Sequence, residues 1–187
     1  MTTSAPKPAP SQTLLNLQAA YNGESNARAK YLQFATKADD EGYAGVASLF
    51  RAAARAEQIH AENHARVIRQ LGATPTCIIE PVEVQTTAIN LKHAISGEEY
   101  ERDVMYPDFM AEATAVNQKA ALLSFRYALE AEAEHARLYK EALDTLATHR
   151  ARTDYYVCVV CGFTTPDGNF ARCQVCNNPK EKFEIVN

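Results

Sequence analysis

Residues 56–61 and 131–136 share one pattern, Ala-Glu-x-x-His-Ala, in two stretches that both follow a helical period. On a helix, residues three apart share a face. Each block therefore offers one carboxylate and one imidazole to the same side, and two such blocks facing each other make a cage for cations. A second echo precedes each block: Asn22-Gly23-Glu24 and Ser96-Gly97-Glu98 lie 74 residues apart. The candidate ligands are thus Glu24, Glu57, His60, Glu98, Glu132 and His135. A carboxylate-rich set with one imidazole per ion suits iron or manganese better than a closed tetrahedral zinc site. Two Glu-x-x-His pairs imply two ions bridged by carboxylates, the donor set of dinuclear carboxylate bundles.

Four amphipathic helices must position these residues. The period predicts helices over Ser11 to about Asp40, Val46 to Leu71, about Val84 to Ala111, and Ala115 to Thr148. Pro107 is expected to bend or break the third. Turns are signalled at residues 39–42, in the stretch 71–81, and at Thr114 as a helix cap. The stretch 71–81 is the longest, which suits the single crossover of a ferritin-like bundle. In an antiparallel pair, residues equidistant from the turn stand at one height. Glu24 and Glu57 centre on the first turn, Glu98 and Glu132 beside Thr114, and Glu57 and Glu98 inside the crossover. That symmetry puts all six candidates in one layer of the bundle. Each Glu also falls on the apolar stripe of its helix, where an uncompensated carboxylate would cost several kcal/mol.

Glu101 breaks the symmetry. It follows Glu98 by three, whereas the matching position after Glu24 is Ala27. Spacing leaves it either as a seventh ligand or as a rim residue.

From about Thr153 the texture changes to short aromatic and β-branched runs around two Cys-x-x-Cys pairs, Cys158/Cys161 and Cys173/Cys176. This is strong spacing for a tetrahedral tetrathiolate site, and so short a module needs its metal to fold. Iron would make the site a one-electron carrier, and zinc would make it a scaffold. The fifth cysteine, Cys77, stands alone in the crossover stretch, and His64 follows His60 by one turn; neither is assigned a role. The segment 148–154 reads as a linker.

The whole chain has 187 residues, 47% hydrophobic content and a formal net charge of −4. That balance, with no basic stripe, gives no reason to expect a nucleic-acid partner. No apolar run reaches membrane-spanning length. The first ten residues have the Pro, Ala and Ser content of a flexible tail and no signal-peptide core. Cysteines at metal spacing fit a reducing, cytoplasmic compartment.

The motifs YNGESNARAKY (21–31), AEQIHA (56–61), SGEEYERDVMYPDF (96–109), AEAEHA (131–136), YVCVVCGF (156–163) and CQVCNNPKEKFEI (173–185) resemble those of rubrerythrins. The likeness covers nearly the whole chain after the tail. It implies a mainly α fold: a flexible tail at 1–10, a ferritin-like di-iron four-helix bundle at 11–149, and a small rubredoxin-like β-rich domain at 153–187. It implies a non-haem di-iron peroxidase that reduces hydrogen peroxide to water in oxidative-stress defence. Electrons would come ultimately from NAD(P)H through a separate reductase or a rubredoxin. By position, Glu57 and Glu132 would bridge the irons. Glu24 would be a terminal ligand of one iron, and Glu98 and His135 of the other. Glu101 and His60 would trade places between oxidation states. Tyr31 and Tyr106 match tyrosines that orient the carboxylates. Cys158, Cys161, Cys173 and Cys176 would hold the single iron, or zinc in the isolated protein. Family members are usually homodimers in which one subunit's rubredoxin-like domain docks near its partner's di-iron site. Gln174 departs from the Pro common at that position of rubredoxin-like sites. Two other readings remain open at this point: a ferroxidase or oxygen-reducing protein with the same ligands, and a metal-binding protein with structural zinc.

Overall fold

The computed structural model describes residues 11–187, so the expected tail at 1–10 lies outside the described residues. Helix α1 (Gln12–Asp40) begins at Ser11, whose hydroxyl accepts the Leu14 N–H at 3.3 Å. It stops where Gly42 takes a φ of +78°, a conformation that a Cβ disfavours. There the Gly42 and Tyr43 N–H groups turn back onto the carbonyls of Asp39 and Ala38. Helix α2 (Ala44–Gln70) then returns along α1.

Residues 73–86 run back along the bundle without helix or strand. Three amide side chains at a four-residue spacing on α1 hold this crossover as a strand edge would. Gln18 bonds Thr74 O (2.7 Å) and the Thr76 N–H (3.2 Å), Asn22 accepts the Ile78 N–H (2.9 Å), and Asn26 bonds Ile78 O and the Glu80 N–H (both 2.9 Å). The crossover ends beside the α1–α2 turn, where Glu41 accepts the Thr87 N–H at 2.9 Å.

The third rod is composite. Helix α3 (Thr87–Tyr100) passes through a π-helical turn (Glu101–Met105) into α4 (Tyr106–Ala115). Pro107, expected to bend or break this rod, does not end it: the helix continues to Ala115. The wider turn, in which the Tyr106 N–H reaches back to Glu101 O, shifts the hydrogen-bond ladder just before the proline ring. The rod therefore runs past Ala111. Thr114 is not a cap: its hydroxyl donates to Met110 O at 2.7 Å within α4. The reversal falls instead at Asn117, with φ +54°, and α5 (Lys119–Asp144) follows. Asn tolerates this left-handed conformation better than most residues.

The core divides into two clusters, one on each side of the layer that holds the six candidate ligands. On one side Tyr31, Phe34, Phe50 and Tyr139 pack together. On the other, Leu17, Ile68, Tyr106 and Phe125 do so. The ligand layer thus sits between two largely apolar plugs.

The C-terminal module is a three-stranded antiparallel sheet, β1 (Tyr155–Cys158), β2 (Thr164–Thr165) and β3 (Phe183–Val186), in the order β2-β1-β3. It lies against α2 and α5 of its own chain. Helix α2 is buried nearly all round, and its small Ala52, Ala53, Ala54, Ala56 and Ala61 let both layers approach closely. Among the described residues, no helix is long and apolar enough to cross a membrane.

Candidate metal centres

Two four-residue donor clusters occupy the middle of the bundle. Glu24, Glu57, His60 and Glu132 form one; Glu57, Glu98, Glu132 and His135 form the other, with the ligand atoms of each within 4.8 Å of one another. Glu57 and Glu132 belong to both. One carboxylate comes from α1, one from α3, and a Glu-x-x-His pair from each of α2 and α5. All six side chains are at most 1% exposed.

Both imidazoles are oriented alike. His60 Nδ1 lies 2.9 Å from Glu57 Oε2 and 3.0 Å from Glu132 Oε1, and His135 Nδ1 lies 2.9 Å from Glu132 Oε2. Their Nε2 atoms point the other way, to Cys161 O at 3.0 Å and Thr164 Oγ1 at 3.2 Å. Both histidines therefore turn one nitrogen into the carboxylate layer and the other toward the C-terminal module.

The titration of these groups follows from crowding charge away from water. Burial, then the negative charge of Glu57, holds the Glu132 carboxyl well above the usual range. Burial and then Glu98 raise Glu57. Burial alone would lower the imidazoles, but Glu132 beside His60 and Glu57 beside His135 push both well above the ordinary histidine value. Three carboxylate oxygens, Glu24 Oε2, Glu57 Oε1 and Glu98 Oε2, are buried without a hydrogen-bond partner, and Glu132 Oε1 faces only His60 Nδ1 at 3.0 Å. Under-satisfied buried acceptors of this kind fit a pair of cations held by six donors.

Tyrosines fix two of the carboxylates. The Tyr31 hydroxyl donates to Glu98 Oε1 at 2.6 Å, and the Tyr106 hydroxyl donates to Glu24 Oε1. Glu101 stands apart from both clusters. It opens the π-helical turn, but its own backbone is still α-helical (φ −64°, ψ −44°) with its N–H on Gly97 O, so it keeps the face it shares with Glu98. Its Oε1 lies near Gly23, which leaves the space beside it free of a side chain. Burial and then the charges of Glu24, Glu132, Glu98 and Glu57 hold its carboxyl well above the usual range.

Spacing left His64 without a role. It is fully buried, with Nε2 at 3.1 Å from the Tyr106 hydroxyl and Nδ1 at 2.8 Å from Ser124 Oγ. Its position one turn after His60 was a usable signal, since it shares the inward face. Ser124 carried none. Cys77 is an exposed, unpaired thiol in the crossover.

The four cysteines form a second centre. Cys158 Sγ lies 3.6 Å from Cys176 Sγ, and Cys161 Sγ lies 3.5 Å from Cys173 Sγ. These separations approach the edge of about 3.8 Å expected for a tetrahedron with metal–sulfur bonds near 2.3 Å. The two loops are built alike: the residue after each second cysteine, Gly162 and Asn177, has positive φ (82° and 58°). Its N–H bonds back to the first cysteine's carbonyl at 2.8 and 2.9 Å. Gly162 has a further reason to lack a Cβ, because that atom would collide with the His60 ring.

The sequence resemblance puts such a module beside a partner's site; here it sits over its own chain's ligand layer. The short connection is pinned at both ends, by Gly45 N–H to His149 O (3.2 Å) and Thr153 N–H to Ser48 Oγ (3.4 Å). Asn63 Nδ2 donates to Val160 O at 3.0 Å, and Arg55 pairs with Glu184 across the same junction.

Comparison with known proteins gives a consistent picture. The rubrerythrin family model matches residues 16–143. Rubrerythrin-2 of Clostridium acetobutylicum is 38% identical over 171 residues, covering 90% of this chain and 93% of that protein. Nigerythrin of Nitratidesulfovibrio vulgaris is 34% identical over 181 residues, covering 95% and 88%. A structure of fully reduced, all-ferrous nigerythrin superposes with a TM-score of 0.86 at 32% identity, over 99% of this chain and 91% of that one.

Proposed function

Because this chain belongs to the rubrerythrin family, with a di-iron site in its bundle and a rubredoxin-like four-cysteine site, we propose that it is a di-iron peroxidase. It reduces hydrogen peroxide to water in oxidative-stress defence. Residues 11–149 form the catalytic bundle and residues 153–187 the electron carrier. Electrons arrive from NAD(P)H through a separate reductase or rubredoxin, in the cytoplasm, and the working form is a homodimer.

In this reading Glu57 and Glu132 would be shared by two irons, Glu24 would complete one site, and Glu98 and His135 would complete the other. The chemistry such a pair would supply is simultaneous delivery of two electrons to the O–O bond. Glu101 and His60 would alternate at the first site. Its support is that His60 turns Nδ1 inward while Glu101 waits outside the cluster. Tyr106 and Tyr31 hold Glu24 and Glu98 in place, and the two aromatic plugs exclude water from the layer.

The observation that carries the proposal is the position of His60, among the carboxylates through Nδ1 and on the backbone of a thiolate ligand through Nε2. Such a junction serves electron transfer between the centres, and storage of iron has no need of it. Steady-state turnover with peroxide and with oxygen, at matched reductant, tests this. Peroxide should be consumed at least about tenfold faster; preference for oxygen would replace the peroxidase with an oxidase or ferroxidase.

A further inference from the structure

We propose that an acidic one-electron carrier protein docks on the cleft between α2 and α5, against Arg66, Arg126, Leu123 and Tyr127, and passes its electrons in through Cys176. The proposal rests on the peroxidase reading, which needs an outside donor, and deepens it by giving that donor a landing face and a charge.

The four-cysteine site has one open side. Cys158, Cys161 and Cys173 are buried, and Cys176 alone is partly exposed. Cys161 is the ligand turned toward the bundle, with its carbonyl on His60. Entry and exit thus fall on different cysteines. Beside Cys176 the surface is supplied by the bundle: Tyr127 of α5 packs against the cysteine cluster, as Val160 and Val175 do. Tyr127 also lines a cleft of about 160 Å³ with Asn63, Arg66, Gln70 and Leu123. Leu123, one turn before Tyr127, is 44% exposed.

The cleft carries positive charge that no carboxylate of the chain neutralises. The Arg126 guanidinium lies over the Tyr127 ring, 5.9 Å from its centroid. Arg66 bonds Asn63 Oδ1 at 2.8 Å, and Asn63 in turn donates to Val160 O at 3.0 Å, so this arginine is fixed to the edge of the module. Both arginines are exposed. Among the described residues neither pairs with a carboxylate, whereas Arg51, Arg55, Arg102 and Arg137 each do. Glu62 and Glu130 stand one turn away along α2 and α5 and bridge to neither.

Charge and size identify the occupant. A guanidinium fork takes a carboxylate bidentately, and an exposed pair of such forks steers an anionic surface to one orientation. The chain as a whole has a net charge of −4, so the same carrier is repelled elsewhere. A nicotinamide dinucleotide needs an enclosed pocket of at least about 300 Å³. The cleft is smaller, and its apolar centre rimmed by arginines has the composition of a protein contact. Each visit passes one electron from the carrier to the four-cysteine site, leaving the carrier oxidised by one. Two visits match the two electrons that one peroxide consumes.

The test uses an iron-containing rubredoxin of strongly negative net charge as probe. Binding to the full chain carrying zinc in its metal sites is followed by NMR titration at low and high salt. Reduction of the iron-loaded chain by the reduced probe is followed by stopped flow. Arg66→Gln/Arg126→Gln is compared with Arg28→Gln, an exposed arginine on α1 outside the cleft. We expect the double variant to weaken binding and slow reduction by about tenfold or more at low salt, and to flatten the salt dependence. Reduction by a small chemical reductant should be unchanged, and Arg28→Gln should match wild type within twofold. A double variant within twofold of wild type, equal damage from Arg28→Gln, or a probe that does not bind wild type would overturn the docking face. If the arginines govern binding and reduction but the wild-type chain does not reduce peroxide, the face stands and the peroxidase reading falls.

Discussion

His60 touches both metal centres: its Nδ1 is 2.9 Å from Glu57 Oε2 and its Nε2 is 3.0 Å from the carbonyl oxygen of Cys161. One imidazole ring thus spans the distance between a carboxylate shared by both donor clusters and the backbone of a thiolate ligand. Chain topology makes this contact, because the module folds back onto α2 immediately after the bundle ends.

That contact is exposed to a single substitution. Gly162→Ala places a methyl group against the His60 ring and strains a backbone at φ +82°. It should lower stability by about 1–3 kcal/mol and lift the module from the bundle. Both iron spectra should survive in the folded variant, while electron transfer between the centres slows by at least about tenfold. Stopped-flow reoxidation of the reduced protein reads this directly.

Shared and unshared carboxylates should differ in metal analysis. Glu57 belongs to both clusters and Glu98 to one. Glu57→Ala should leave the bundle without a stable pair of ions, whereas Glu98→Ala should retain the ion beside His60. Cys158→Ser should remove only the thiolate-bound metal. Elemental analysis of the iron-loaded variants checks the three outcomes against one another.

Metal removal leaves Glu24 Oε2, Glu57 Oε1 and Glu98 Oε2 buried without partners. The metal-free chain should unfold at a lower temperature, with a deficit of several kcal/mol. Refilling the bundle sites should recover it. Calorimetry of the metal-free and reloaded protein measures the difference, and equal midpoints would contradict it.

One pH effect is independent of the metals. Glu41 sits in the α1–α2 turn and accepts the Thr87 N–H at the start of α3. The Thr87 side chain beside it, and then that N–H, hold the Glu41 carboxyl below its ordinary value of 4.5. A depressed folded-state pKa contributes stability above the unfolded value and loses it as pH falls through the folded one. Wild type should therefore exceed Glu41→Gln in urea midpoint at neutral pH. The gap should close as the pH falls below 4.5 and through the depressed folded-state value.

Much of this site is legible in the sequence because helices are periodic. The 3.6-residue stripe and the symmetry of Glu24, Glu57, Glu98 and Glu132 about their turns are enough to bring six residues into one layer. Four features escaped for physical reasons. The π-helical turn at Glu101–Met105 adds a residue to one turn, which no average period registers, although Pro107 marked the neighbourhood. The reversal after α4 depends on Asn117 adopting a left-handed conformation, while Thr114 offered the more familiar cap chemistry and did not use it. The partners of His64 lie 42 and 60 residues away, so no local pattern links them. The resting place of the four-cysteine module was likewise unreadable, because a short polar linker fixes reach but not which bundle is reached.

The central claim is that the bundle draws electrons from the four-cysteine site when it meets peroxide. The iron-loaded protein should be reduced stoichiometrically without oxygen, given one equivalent of hydrogen peroxide, and followed through its iron–thiolate colour. The account predicts that the colour returns with the consumption of peroxide in wild type and lags far behind it in Gly162→Ala. Peroxide consumed with the thiolate iron still reduced, or a chain whose cysteines hold only colourless zinc, would contradict it.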